Sequence, residues 1–222
     1  MTAIAEQDFD DLTDGTTYAP SSPWFVAGAA PTVSTAAAIH GANGLRWTST
    51  ATAGRVDYDF GSAWTTAEVL SFYFNVQTFS SANHYIACTQ AVHTSGSPLS
   101  DWRINTAHTV TLRDNFSAVS TSSATLSAAT DYRAEWKVDQ SAATQELRIY
   151  EGEADTPIFT LSGAFSGTTT QTFTIGPYTA AAGGAIDYDT VKIADDWTGP
   201  ENPPASLTPV LRRYRYNGTA WE

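Results

Sequence analysis

Two carboxylates, Asp187 and Asp189 in the segment IDYDTVK, are the side chains whose spacing best suits catalysis. On a strand they share one face and stand about 6.7 Å apart, because successive side chains alternate between faces. That separation overlaps the one that inverting glycosidases use between their general acid and general base. Both groups stand on one strand, however, whereas the acid and the base must flank a sugar from opposite sides. The sequence therefore predicts no catalytic residue, and a protein that is not an enzyme.

Aromatic side chains are the second chemical resource, since Phe, Trp and Tyr make up 12% of the chain. Exposed rings flanked by polar groups stack on sugars in binding sites. The rings that we expect to reach such a glycan site, from loops or from the outer face of a strand, are Trp47, Trp64, Trp102 and Tyr73. The alternative is that these rings pack in the core, which a β-protein fills with aromatic residues.

Charge excludes two classes of partner. The formal net charge is −12, and the chain contains only 11 Lys and Arg residues, whereas nucleic-acid binding requires clustered cations. An anionic membrane surface would repel such a chain, and no apolar run reaches the roughly 18 residues of a membrane helix. The opening MTAIAEQDFDD lacks the basic and apolar parts of a signal peptide, which predicts synthesis in a cytoplasm.

Strand-like alternation recurs along the chain, separated by loops rich in Gly, Ser, Thr, Asn and Pro. In VLSFYFNVQTF the inward row is Leu70, Phe72, Phe74 and Val76. The segment YRAEWKVDQSAATQELRIYEG reads as a hairpin, with an inward row of Tyr132, Ala134, Trp136, Val138, Leu147 and Ile149. Its charged residues, Arg133, Glu135, Lys137 and Arg148, are predicted to lie outside. Many short strands without helices predict an all-β fold, an antiparallel β-sandwich.

The composition changes near residue 200, which divides the chain into three parts. Residues 1–199 are predicted to form the sandwich, and the proline-rich stretch 200–209 a stiff linker. Residues 210–222, VLRRYRYNGTAWE, form a short C-terminal extension that is too small to bury a core of its own. We expect this extension to be an attachment tail whose contacts come from Arg212, Arg213, Tyr214, Arg215, Tyr216 and Trp221.

Four segments together carry a resemblance: FDDLTDGTTY, GLRW, YRAEWKVD…QELRIYEGE and IDYDTVKIADDWTGP. They resemble concanavalin A-like (LamG-type) jelly-roll domains, in a variety encoded among the virion genes of tailed bacteriophages of actinobacteria. The likeness covers residues 8–200, and its motifs are repeats of strand and turn. The closing YRYNGTAWE is similar to short units that end or link phage tail and head-fibre proteins.

The resemblance implies a non-enzymatic virion protein, either tail-associated or a decoration of the capsid surface. Its partners would be other virion proteins and host cell-surface glycans, and symmetric virion sites imply a homo-oligomer. Relatives of this fold include glycan-binding adhesins and glycoside hydrolases, which remain the alternatives. The chain departs from the hydrolases, because it lacks glutamates where their Glu-x-Asp-x-x-Glu motif places them.

The resemblance also raises a calcium site, because many lectin-like jelly rolls hold Ca²⁺ through Asp and Asn oxygens. If the first and last strands lie side by side, the metal ligands would be Asp14, Asp187 and Asp189. The alternative is that these acidic residues cap turns and strand ends. Both interpretations remain open from the sequence.

Overall fold

The computed structural model describes residues 3–48, 53–92, 98–167, 169–178 and 184–200, and nearly all of its regular structure is β. One turn of 3₁₀ helix covers Thr35–Ala37, and no helix in the described part is long and apolar enough to cross a membrane. The strands are β1 Ala3–Gln7, β2 Trp24–Gly28, β3 Thr32–Ser34, β4 Gly44–Thr48, β5 Gly54–Asp59, β6 Ala67–Thr78, β7 His84–Gln90, β8 Ser100–Ile104, β9 Thr109–Asp114, β10 Ser117–Thr125, β11 Asp131–Asp139, β12 Thr144–Glu151, β13 Phe159–Ala164, β14 Thr172–Ile175 and β15 Ala185–Ala194.

These strands form two antiparallel sheets packed face to face. Sheet A has the order β13-β12-β11-β6-β15-β4-β3, with β1 paired to the second half of β15. Sheet B has the order β10-β9-β8-β7-β14-β5-β2. The first and last strands are neighbours, since Glu6 lies opposite Lys192 and their side chains pair at 3.2 Å. The predicted all-β antiparallel sandwich is confirmed.

The core lies between the sheets and is rich in aromatic rings. The predicted inward row of β6 is confirmed, because Leu70, Phe72, Phe74 and Val76 are at most 1% exposed. Trp102 of sheet B packs against this row, with its ring centroid 5.9 Å from Phe72 and 5.7 Å from Phe74. Paired rings at such distances add about 0.5–1.5 kcal/mol each beyond the burial of their area. Aromatic contacts therefore join the two sheets.

The predicted hairpin is β11 and β12, paired in unbroken register from Tyr132 opposite Glu151 to Asp139 opposite Thr144. Asp139 fixes its turn by accepting hydrogen bonds from the Ala142 N–H at 2.9 Å and the Ser141 hydroxyl at 2.7 Å. The inward row is buried as predicted. The outward row is not all exposed, however: Arg133 and Glu135 face outward from the sheet, yet each is only 1% exposed. Other segments of the chain cover them.

Candidate functional site

The outer face of sheet A carries rows of polar side chains. Strand pairing sets them in rows across the sheet, because residues directly opposite each other point to the same face. The rows are Asp189–Tyr73–Arg133–Tyr150, then Ser71–Glu135–Arg148, then Val69–Lys137–Glu146–Ser162. Loops cover the first two rows, and the third lies in an open groove.

Asp187 and Asp189 share this face as predicted, but both carboxylates have structural partners. Arg46 binds Asp187 with two parallel hydrogen bonds of 2.7 and 2.6 Å, which raise the pKa of the guanidinium. Asp189 accepts the backbone N–H groups of Ile39 and His40, each at 2.7 Å. Burial raises the pKa of Asp189, while these hydrogen bonds oppose the rise. The pair holds a neighbouring strand and a loop in place.

The predicted calcium ligands do not form a cation site. Asp14 accepts the Thr35 N–H at 2.8 Å and caps the start of the 3₁₀ turn, while both oxygens of Asp187 bind Arg46. Within the described ranges, no three His, Cys, Asp or Glu side chains are grouped as a metal ion requires. The residues present therefore fit the alternative, in which acidic side chains cap turns and anchor loops.

Contacts among the side chains of His40, Tyr73 and Glu153, which we call the brace, cross the first row of the face. The His40 ring stands on Tyr73 with centroids 4.2 Å apart, and its Nε2 lies 2.7 Å from a carboxylate oxygen of Glu153. Tyr73 donates its hydroxyl proton to the other Glu153 oxygen at 2.9 Å. The loop before β4 and the loop after β12 therefore meet above the middle strands. This brace closes that part of the face to a ligand.

Glu135, in the second row, binds both a neighbouring arginine and the chain segment that follows β15. Arg133 pairs with it at 3.4 Å and also stacks over the Tyr150 ring at 4.0 Å. The Glu135 Oε1 atom accepts the Gly199 N–H at 2.8 Å and the Thr198 hydroxyl at 3.3 Å. Segment 195–200 therefore crosses the outer face from β15 towards β12.

This crossing places Trp197 on the sheet surface. Its ring centroid lies 3.7 Å from the Arg148 guanidinium carbon and 5.5 Å from the Lys137 ammonium nitrogen. Beside the ring, a groove of about 540 Å³ runs over β11, β12 and β13. It is lined by Lys137, Asp139, Thr144, Gln145, Glu146, Ser162, Gly163 and Trp197. The volume lies in the range of small-molecule sites, about 300–1,000 Å³.

The aromatic residues predicted to bind a glycan lie elsewhere. Trp47, Trp64 and Trp102 are 4%, 7% and 0% exposed and belong to the core, and Tyr73 is 2% exposed beneath the brace. The prediction is wrong for all four rings. Proximity to a loop does not decide which face of a strand a tryptophan occupies, and His40 and Glu153 cover the outward-facing Tyr73. The alternative of plain core packing holds for the three tryptophans.

Sequence reasoning missed Trp197 and its charged neighbours. The available signal was a tryptophan directly after Asp195 and Asp196, followed by Gly199 and Pro200, which marks a strand end and a loop. The predicted linker beyond Pro200 lies outside the described residues. So does the attachment tail with Arg212, Arg213, Tyr214, Arg215, Tyr216 and Trp221.

Comparison with known proteins identifies the fold. No family model and no curated protein matches the sequence. Among solved structures, lectin II from Ulex europaeus superposes with a TM-score of 0.59 at 13% identity, covering 87% of this chain and 99% of that one. A carbohydrate esterase of the Shiga toxin-encoding bacteriophage phi24B gives 0.55 at 16% identity, covering 86% and 97%.

A third similar structure is Trypanosoma rangeli sialidase, with a TM-score of 0.52 at 9% identity; the match covers 77% of this chain but 28% of the sialidase. The chain has a lectin-like jelly-roll β-sandwich. At these identities the likeness shows the fold alone.

Replacing Glu135 by Leu should destabilise the fold by about 3–5 kcal/mol, because it leaves the buried Arg133 guanidinium with no carboxylate nearer than the partly exposed Glu153, at 3.9 Å. The double variant Arg133→Met, Glu135→Leu should regain most of that stability in chemical denaturation. Both variants lack the acceptor for Gly199, so hydrogen exchange at the Gly199 amide should be fast in each. Slow exchange there in either variant would contradict the role given to Glu135.

Proposed function

We propose that this protein is a non-enzymatic glycan-binding module, and that the groove beside Trp197 is its binding site. The observation that carries the proposal is the half-buried Trp197 ring bordering an open groove lined by charged and hydroxyl side chains. Sugars present apolar C–H faces and a rim of hydroxyl groups, so a ring with several hydrogen-bonding neighbours suits them. The lectin-like fold agrees with this chemistry.

The charges around the groove favour an uncharged glycan. Lys137 pairs with Asp196 at 3.6 Å, and Arg148 pairs with Glu146 at 2.7 Å. Asp139 adds a further carboxylate to the lining. Three carboxylates thus face two cations, within a chain whose net charge is −12. An acidic sugar would meet repulsion here, whereas a neutral hydroxyl rim finds both donors and acceptors.

The absence of catalysis belongs to the proposal and is supported by the carboxylates of sheet A. A glycosidase requires one carboxylic acid and one carboxylate facing each other across a bound sugar. Asp187, Asp189 and Glu135 are each about 1% exposed and are held by protein donors. Glu146 in the groove is paired with Arg148 on its own strand. Asp139, the other carboxylate of the groove lining, accepts hydrogen bonds from the Ser141 hydroxyl and the Ala142 N–H of its own turn.

We further propose that the module serves in a bacteriophage virion, as a tail-associated or capsid-surface protein. The sequence resemblance supports this role, and one similar solved structure is a phage protein. Attachment would come from residues 201–222, where three of the 11 basic residues lie. The described residues end at Pro200, directly after Glu135 holds Gly199 on the outer face of sheet A.

Replacing Trp197 by Ala should weaken binding of a neutral oligosaccharide at least tenfold, which corresponds to about 1.4 kcal/mol. An array of defined neutral oligosaccharides and their uronic-acid counterparts would supply the probe, and calorimetry the affinity. Trp197→Phe keeps a ring and should retain most of the binding. Phe116→Ala is the matched control, because Phe116 is an aromatic residue 53% exposed outside the groove.

Three results bear on the site. Loss of sugar binding in Trp197→Ala, with the affinity of Phe116→Ala unchanged, supports the groove as the binding site. Equal affinity in wild type and Trp197→Ala would refute this location, and no binding to any sugar on the array would refute the glycan function. Preference for the uronic-acid probes would contradict the argument from charge.

Deleting residues 201–222 should release the protein from virions while its thermal unfolding and sugar affinity stay unchanged. That result would assign virion attachment to the extension and sugar binding to the sandwich. Particle occupancy can be measured by quantitative mass spectrometry of purified virions. Normal occupancy of the truncated protein would rule out the extension as the attachment segment.

A further inference from the structure

Arg103, on the outer face of sheet B, is a cation without a carboxylate partner in the described part of the chain. The other lysines and arginines there each pair with an aspartate or glutamate, at 3.6 Å or less. Arg103 instead donates from Nη1 to the Tyr85 hydroxyl at 3.5 Å, and its Nε atom is buried without a hydrogen-bond acceptor. A guanidinium has five N–H donors. The half-buried Arg103 side chain therefore has donors left for an external anion.

The neighbouring arginine, Arg113, is already neutralised. It binds Asp101 with two parallel hydrogen bonds of 2.7 and 2.6 Å, and the Tyr178 hydroxyl donates to the same carboxylate at 2.9 Å. The Tyr178 ring stands 4.6 Å from the Tyr85 ring, measured between centroids, and the Arg113 guanidinium carbon lies 5.3 Å from the Tyr85 centroid. Because Asp101 cancels the charge of Arg113, the positive charge of Arg103 remains uncompensated here, in a chain whose net charge is −12.

Phe116 stands beside this cluster, at the tip of the β9–β10 hairpin. Asn115 and Phe116 form its two-residue loop, with φ angles of 44° and 66°. A bulky residue at positive φ is strained, and loops of this kind favour glycine at the second position. Burial does not offset the strain, because Phe116 is 53% exposed, with its ring centroid 5.8 Å from the Arg113 guanidinium carbon. Strained residues concentrate at functional sites, so the exposed ring indicates a contact with another molecule.

We propose that Tyr85, Arg103, Phe116 and Tyr178, which we call the Arg103 patch, dock an acidic segment of another protein. A carboxylate of that segment pairs with Arg103, whose planar fork matches it, and an apolar side chain packs on the Phe116 ring. Protein interfaces are enriched in aromatic residues and arginine. A polypeptide fits this patch better than a sugar, because a phenyl ring offers no hydrogen bond to a rim of hydroxyl groups.

The first test is an array of short blocked peptides that combine glutamate with leucine, each beside a copy in which glutamine replaces glutamate. The tightest glutamate peptide should bind the full-length protein about tenfold more strongly than its glutamine copy in calorimetry, because its carboxylate pairs with Arg103. Arg103→Gln should remove that difference. Lys192→Gln is the matched control, since it removes a cation from sheet A, and it should retain the difference.

The strain at Phe116 supplies a second test. Phe116→Gly should raise the midpoint of chemical denaturation, because glycine adopts a positive φ without strain, and it should lose affinity for the glutamate peptide. Phe116→Ala removes the ring but keeps the strain, so its affinity should fall without the gain in stability.

Three results would overturn the proposal. The first is equal binding of the glutamate and glutamine peptides by the wild type. The second is a Phe116→Gly variant that is less stable than the wild type, because the ring would then be a structural element of the hairpin. The third is binding of uronic-acid sugars that Arg103→Gln abolishes, because the patch would then be a site for an acidic glycan.

Discussion

The binding surface depends on the ion pair and the hydrogen bonds of one buried carboxylate, that of Glu135 on the outer face of sheet A. Glu135 is 1% exposed, and a charge so removed from water is costly unless it is paired and hydrogen-bonded. Its partners are Arg133 on the same strand, the Tyr150 hydroxyl at 3.4 Å, and the Gly199 and Thr198 groups from the end of the described chain. Satisfying Glu135 therefore requires segment 195–200 to cross the sheet, and that crossing sets Trp197 above Arg148.

The two faces of sheet A therefore have different functions. The inner face supplies apolar rows that meet the aromatic side chains of sheet B, and this packing holds the sandwich together. The outer face is polar, and the His40–Glu153 brace and segment 195–200 cover its middle strands. The part over β11, β12 and β13 is open as a groove. Strands position the groove residues rigidly, while a loop supplies the ring.

Alternation along the strands predicted the sandwich, the β11–β12 hairpin and the inward rows, because a period of two depends on the local sequence alone. It could not predict which outward side chains become buried. The cover over Glu135 comes from Gly199, 64 residues later in the chain, and no local pattern records that contact. The same limit explains the error at Trp102, whose burial depends on Phe72 and Phe74 in the opposite sheet. Trp197 was missed because its position depends on Glu135.

The central claim is that a sugar contacts Trp197 and not the core tryptophans. The most direct measurement is a two-dimensional NMR titration of the indole N–H signals of the ¹⁵N-labelled protein with a neutral oligosaccharide that binds. The account predicts that the Trp197 indole signal shifts saturably, while the signals of the buried Trp102 and Trp136 stay in place. An unmoved Trp197 signal at saturating sugar would contradict it.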